Sequence, residues 1–115
     1  MGRRKNITLE DVDRQIAYWS EIRNILLRSN EKADDDLPTR VIKKYLKLGS
    51  VSEVAIELNE EGYQTISKAT GNLIKFNSNA VSDVIRDAVI EDYAMQVLAQ
   101  NILADHSAFI NRIYN

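Results

Sequence analysis

The chain contains no cysteine, which excludes a disulfide scaffold, thiolate-bound metal and a cysteine nucleophile. Its single histidine, His106, excludes zinc sites built from several imidazoles and acid–base catalysis by paired histidines. One proline and four glycines in 115 residues leave little material for a turn-rich β fold and favour long helices. No apolar run reaches the ~18–20 residues of a membrane span, and no signal-peptide core follows the basic start. The expectation left by these absences is a soluble, cytoplasmic, mostly helical protein with poor equipment for catalysis.

What is present fits one domain over 1–115, with a modest core. The formal net charge is only −2, but its distribution is uneven. Residues 1–6 carry Arg3, Arg4 and Lys5 with no acid, whereas 7–36 hold eight acids against four bases. Residues 37–86 hold seven bases against five acids, and 87–115 hold four acids against Arg112. Acidic flanks therefore surround a mildly basic middle behind a basic tip.

Periodicity predicts a first helix over Leu9–Arg28. Thr8 is its N-cap, Asp11 lies three residues on, and Leu9, Val12, Ile16, Trp19, Ile22 and Leu26 form one apolar stripe. Residues 29–37 read as a polar loop, with Asp34–Asp36 a solvated acidic run that lacks the alternation of a calcium loop. Pro38 suits the first turn of a second helix, Thr39–Leu48, whose charges are Arg40, Lys43, Lys44 and Lys47, and Gly49 closes it. Ser50 and Glu53 predict a capping box opening a third helix, which Gly62 ends. The two-to-three-residue connection at Gly49–Ser50 is that of a helix-turn-helix unit. Around Lys68–Asn72, two short β-prone runs suggest a hairpin with Gly71 at positive φ; an extended loop is the alternative. Asn77 or Ser78 caps a fourth helix from about Asn79, and apolar spacing continues through 87–115, with a break into two helices near Ala104–Ser107.

Within residues 49–86, Val54, Ala55, Leu58, Asn59, Gly62, Thr65, Gly71, Ser78, Val81 and Ile85 match a pattern: a short helix ending in ELNEEG, a threonine, a glycine-containing loop, and a second helix opened by a small polar residue. This segment resembles the DNA-binding helix-turn-helix of serine recombinases and related phage and plasmid proteins. It covers about a third of the chain, and nothing matches a recombinase catalytic domain. The resemblance implies a DNA-reading module without the chemistry: an all-α fold, a helix-turn-helix over 39–86 that carries a small β-hairpin wing if the tip folds as one, and flanking helices.

On that reading the fourth helix enters the major groove by its N-terminal turn, and Ser78, Asn79, Ser82 and Arg86 face the bases. Asp83 opposes it, unless it accepts from cytosine or orients Arg86. Residues 62–82 contain Lys68 and Lys75 and no acid, so the hairpin lysines are candidates for phosphate contacts. Lys43, one turn from Lys47, is a further phosphate candidate, although a solvated helix face explains it as well. The arm Arg3-Arg4-Lys5 suits a minor groove or backbone.

The expected partners are duplex DNA and a second copy of the chain, with 87–115 the first candidate for the dimer surface and the Leu9–Leu26 stripe the second. Mutual packing of the two terminal segments is the plain alternative. No membrane, small-molecule ligand, metal or cofactor is inferred. Glu60 and Glu61 lack a partner that would tune a pKa, the local Asp105-His106-Ser107 string makes no triad, and Tyr18 and Trp19 read as core or interface. The expected role is non-enzymatic: a regulator, or an origin- or element-binding protein of a mobile element in a prokaryotic or phage-infected cell. The alternative is a protein–protein adaptor or phage-type inhibitor.

Overall fold

A computed structural model of the chain describes the backbone of residues 7–114 and side chains as far as 105. The elements in order are α1 (Leu9–Leu27), α2 (Leu37–Leu48), α3 (Val51–Glu60), strands β1 (Thr65–Ile66) and β2 (Leu73–Ile74), α4 (Ser78–Asp87) and α5 (Tyr93–Tyr114). The fold is mostly helical with one two-stranded antiparallel sheet. No described helix is long and apolar enough to cross a membrane.

Local chemistry accounts for the element ends. Thr8 and Asp11 exchange side-chain and backbone bonds in a capping box at the start of α1. Asp36 caps α2 one turn before Thr39, so the helix begins at Leu37 rather than Thr39, with Pro38 in its first turn. Gly49 ends α2 at φ 74°, a left-handed conformation that costs a side-chain-bearing residue about 1 kcal/mol. Ser50 then caps α3 by accepting from the Glu53 N–H; Glu53 does not return the bond, so this cap is one-sided. The hairpin pairs Thr65 with Ile74 and Ile66 with Leu73, and its tip closes through Ser67 N–H to the Asn72 carbonyl at 2.8 Å.

The core lies among α2, α3, α4 and the start of α5, where Val41, Ile42, Tyr45, Val54, Leu58, Val81, Ile85, Met95 and Ala99 are buried. α3 and α4 form the most extensive helix pair. Between α4 and α5 the chain leaves the helix for five residues without glycine or proline. Long side chains satisfy its backbone. Gln100 donates to the carbonyls of Ile85, Arg86 and Ala88, and the Gln96 amide oxygen accepts from the Ile90 N–H. Asp92 accepts from the Met95 N–H and so starts α5. From there α5 runs unbroken to Tyr114, contrary to the expected break near 104–107; nothing in that stretch competes with helix formation strongly enough to end it.

Two expectations for charged residues are overturned. Lys43 is buried, donating to both oxygens of Asp35 and to the Asn30 carbonyl, and is on no phosphate-facing or solvated surface. Beside it Lys44 is wholly buried and donates to Glu31, Glu57 and Glu61 at 3.1, 2.6 and 2.8 Å. Burial of two ammonium groups is tolerated because each finds carboxylates that offset its lost hydration. The acidic loop is accordingly not a free solvated run: Asp35 holds Lys43 and Asp36 caps α2. Arg40 completes the knot, bonding Glu31 and the Lys32 carbonyl. Of the four cations on α2 only Lys47 is exposed.

Candidate nucleic-acid interface

The position of α4 is set by α3. Val54 and Leu58 of α3 and Val81 and Ile85 of α4 are buried in one cluster, which lays the two helices against each other. The Asn59 side chain grips the backbone of Phe76 from both sides, accepting from its N–H at 2.7 Å and donating to its carbonyl at 2.9 Å. Phe76 itself is buried, so the link from β2 to α4 is held by a side-chain amide and by apolar packing together. Asn77 caps α4, its side chain accepting from the Ala80 N–H, and this leaves the hydroxyl of Ser78 free of capping duty.

As a result the first turns of α3 and α4 meet. The hydroxyls of Ser52 and Ser78 are 3.0 Å apart across that junction. Two helix N-termini, each carrying partial positive charge and unpaired N–H groups, therefore lie side by side. Asn79 is exposed and Ser82 half-exposed along α4. Lys75, just ahead of the helix, is exposed and pairs with no acid among the described residues. The hairpin rises beside α4, and an open groove of about 550 Å³ runs between them, lined in part by Ile66, Lys68, Asn79 and Asp83.

Asp83 organises the charge on this face. Lys68 at the hairpin tip reaches it at 3.0 Å, and Arg86 bonds its other oxygen from one turn along α4. The bond from Lys68, reinforced by Arg86, holds the Asp83 carboxyl below the usual aspartate range. Two of the cations singled out in the sequence are thus shared with one carboxylate, while both remain exposed.

No family model, curated protein or solved structure matches this chain.

The structure places Ser78, Asn79, Ser82 and Arg86 along α4, ties Lys68 to that helix through Asp83, leaves Lys75 exposed just ahead of it, and removes Lys43 to the interior. Arg3, Arg4 and Lys5 lie outside the described residues. Sequence reasoning missed Ser52, which comes beside Ser78 only through the packing of α3 on α4 across 26 residues. It also missed Glu61 as a partner of Lys44. Helix spacing puts Glu57 and Glu61 on one face, which could have suggested that a cation lies against it. Chemically the face offers hydroxyls, a side-chain amide, cations and helix N-termini, a set suited to hydrogen bonding and to holding anions.

Proposed function

We propose that the chain binds double-stranded DNA through the joined N-terminal turns of α3 and α4 and the adjoining hairpin. The observation that carries this reading is the Ser52–Ser78 junction, where the hydroxyls of two adjoining helix N-termini stand 3.0 Å apart, together with the segment 62–82, which has Lys68 and Lys75 and no acid. The helix-turn-helix lies within 39–86: α3 braces α4, the hairpin between them serves as a wing, and α4 presents Ser78, Asn79 and Ser82 to base edges. Asn79 suits adenine, and Arg86, once exchanged from Asp83, suits guanine. Lys75 and Lys68 hold phosphates, as does the basic arm of Arg3, Arg4 and Lys5. With so few cations per chain a single copy binds weakly and loses affinity steeply with salt, so a homodimer on two half-sites is the effective form. The role is that of a non-enzymatic regulator, or an origin- or element-binding protein.

Fluorescence anisotropy of genomic duplex fragments at two salt concentrations tests this. Lys75→Ala is expected to weaken every sequence alike and to flatten the salt dependence by about one unit of log–log slope. Asn79→Ala and Arg86→Ala are expected to relax sequence preference instead. Equal losses on all fragments for the three variants, or no binding at low salt, would refute the assignment. A second reading, a protein–protein adaptor, draws on the exposed apolar face of α1. It predicts a salt-insensitive partner and no affinity for DNA.

A further inference from the structure

Among the described residues, nothing covers the apolar stripe of α1. Only Ile25 of its 19 residues is buried, yet Leu9, Ile16 and Trp19 remain 76, 59 and 60 % exposed on one stripe. Among the described residues its attachment is at its C-terminal end, where Ile25 meets the core and Arg28 forms a two-bonded ion pair with Asp92. In proteins most of a helix's stability comes from packing its apolar face rather than from intrinsic propensity. The open arrangement also shows in the radius of gyration, 17.3 Å against ~13 Å for a compact chain of this size. Between α1 and α5 an apolar groove of about 660 Å³ is lined by Tyr18, Trp19, Ile22, Tyr93, Val97 and Ile102.

We infer that this face is covered by a second copy of the chain, with the two α1 helices packed antiparallel about a two-fold axis between Ile16 and Trp19. Area is the first argument. At roughly 180 Å² per full side chain, the exposed parts of Leu9, Val12, Ile16, Tyr18, Trp19 and Ile102 amount to about 600 Å² of apolar surface. That is the top of what a monomer carries as one patch, and it matches the apolar share of a standard interface of about 800 Å² per partner.

Charge is the second argument, and it sets the direction. Arg23 falls four residues after Trp19 and three before Leu26, in the middle of the stripe. A parallel pair would stack Arg23 on its own copy. The antiparallel pair places Leu9 against Leu26 and Ile16 against Trp19 of the second copy, and sets the exposed Asp13 alongside Arg23. Two-fold symmetry makes each of these contacts twice. The groove beside α5 then receives the flank of the opposing α1. The inference stands whether or not DNA is the ligand.

The test uses the full chain, sedimentation equilibrium and the emission of Trp19, the sole tryptophan. The expected result is a concentration-dependent dimer whose Trp19 emission moves to shorter wavelength as it forms. Ile16→Glu is expected to weaken it at least about 100-fold, since two copies each lose a burial worth roughly tenfold. Ile16 is outside the core, so circular dichroism should show α2–α4 intact in this variant. Asp13→Arg and Arg23→Asp are each expected to weaken the dimer, and the double variant to restore it. A monomer at every concentration, leaving the stripe to a different kind of partner, overturns the inference. So does a dimer indifferent to Ile16→Glu with unchanged emission, and failure of the double variant to recover overturns the antiparallel arrangement.

Discussion

Replacing Lys44 by methionine should destabilise the protein by about 2–3 kcal/mol, although the variant keeps most of the buried side-chain volume. The Lys44 side chain is 1 % exposed and is the common donor to Glu31 in the loop and to Glu57 and Glu61 on α3. Removing one partner of a fully enclosed ion pair costs ~3–5 kcal/mol, because the other charge is stranded. Here the three carboxylates are 24, 31 and 40 % exposed, so water recovers part of the loss and the expectation is lowered accordingly. At about 4 °C per kcal/mol for a chain of this length, Tm should fall by about 10 °C. Urea unfolding followed by circular dichroism gives the free energy directly. In a double-mutant cycle, Glu57→Gln should cost less in the Lys44→Met background than in the wild type, because it relieves repulsion there. The pH dependence has a defined sign. Lys44 bonds hold the Glu57 carboxyl below its ordinary value, so its contribution is present above about pH 4.5 and is lost as pH falls through the lowered folded value. The same carboxylates outweigh the effect of burial and raise Lys44 above its ordinary value. Its contribution is complete at neutral pH and disappears only as pH rises through that raised value. A Lys44→Met protein within ~0.5 kcal/mol of the wild type, or more stable, would refute the view that this cluster secures the loop and α3 to α2.

Asp83→Asn should free Lys68 for phosphate and Arg86 for base edges and so raise affinity for duplex DNA, with a steeper salt dependence, in anisotropy titrations; unchanged or weaker binding would show that the two cations do not act on DNA. Asn59→Ala leaves the N–H and carbonyl of Phe76 without their partner and should cost about 2–3 kcal/mol in urea unfolding, while a loss under ~0.5 kcal/mol would mean that the β2–α4 link is held by packing alone.

The elements governed by local chemistry were legible in the sequence. Thr8 with Asp11, Gly49 followed by Ser50, and Gly71 in a β-prone run each act within a turn, and each forms as its residues dictate. What periodicity treats poorly is a helix buried on nearly all sides. Val41 to Tyr45 are five consecutive buried residues, and two of them are lysines that spacing assigns to water. Their burial depends on Asp35, Glu31, Glu57 and Glu61, partners 8 to 17 residues away. The pause between α4 and α5 was hidden for the same reason, since Gln96 and Gln100 satisfy it from the following helix. The amphipathic stripe of α1 was visible as a pattern, but a stripe does not say what covers it. At the candidate interface, the residue types were legible while the sharing of Asp83 between Lys68 and Arg86, and the meeting of Ser52 with Ser78, required the packing of α3 on α4.

The most direct measurement is an amide NMR titration of the full chain with a bound duplex fragment. DNA binding through the α3–α4 junction predicts that the largest shifts fall on Ser52, Lys75, Ser78, Asn79 and the hairpin tip, with the amides around Lys43 and Lys44 unmoved. Shifts centred on another surface, or none at low salt, would contradict it.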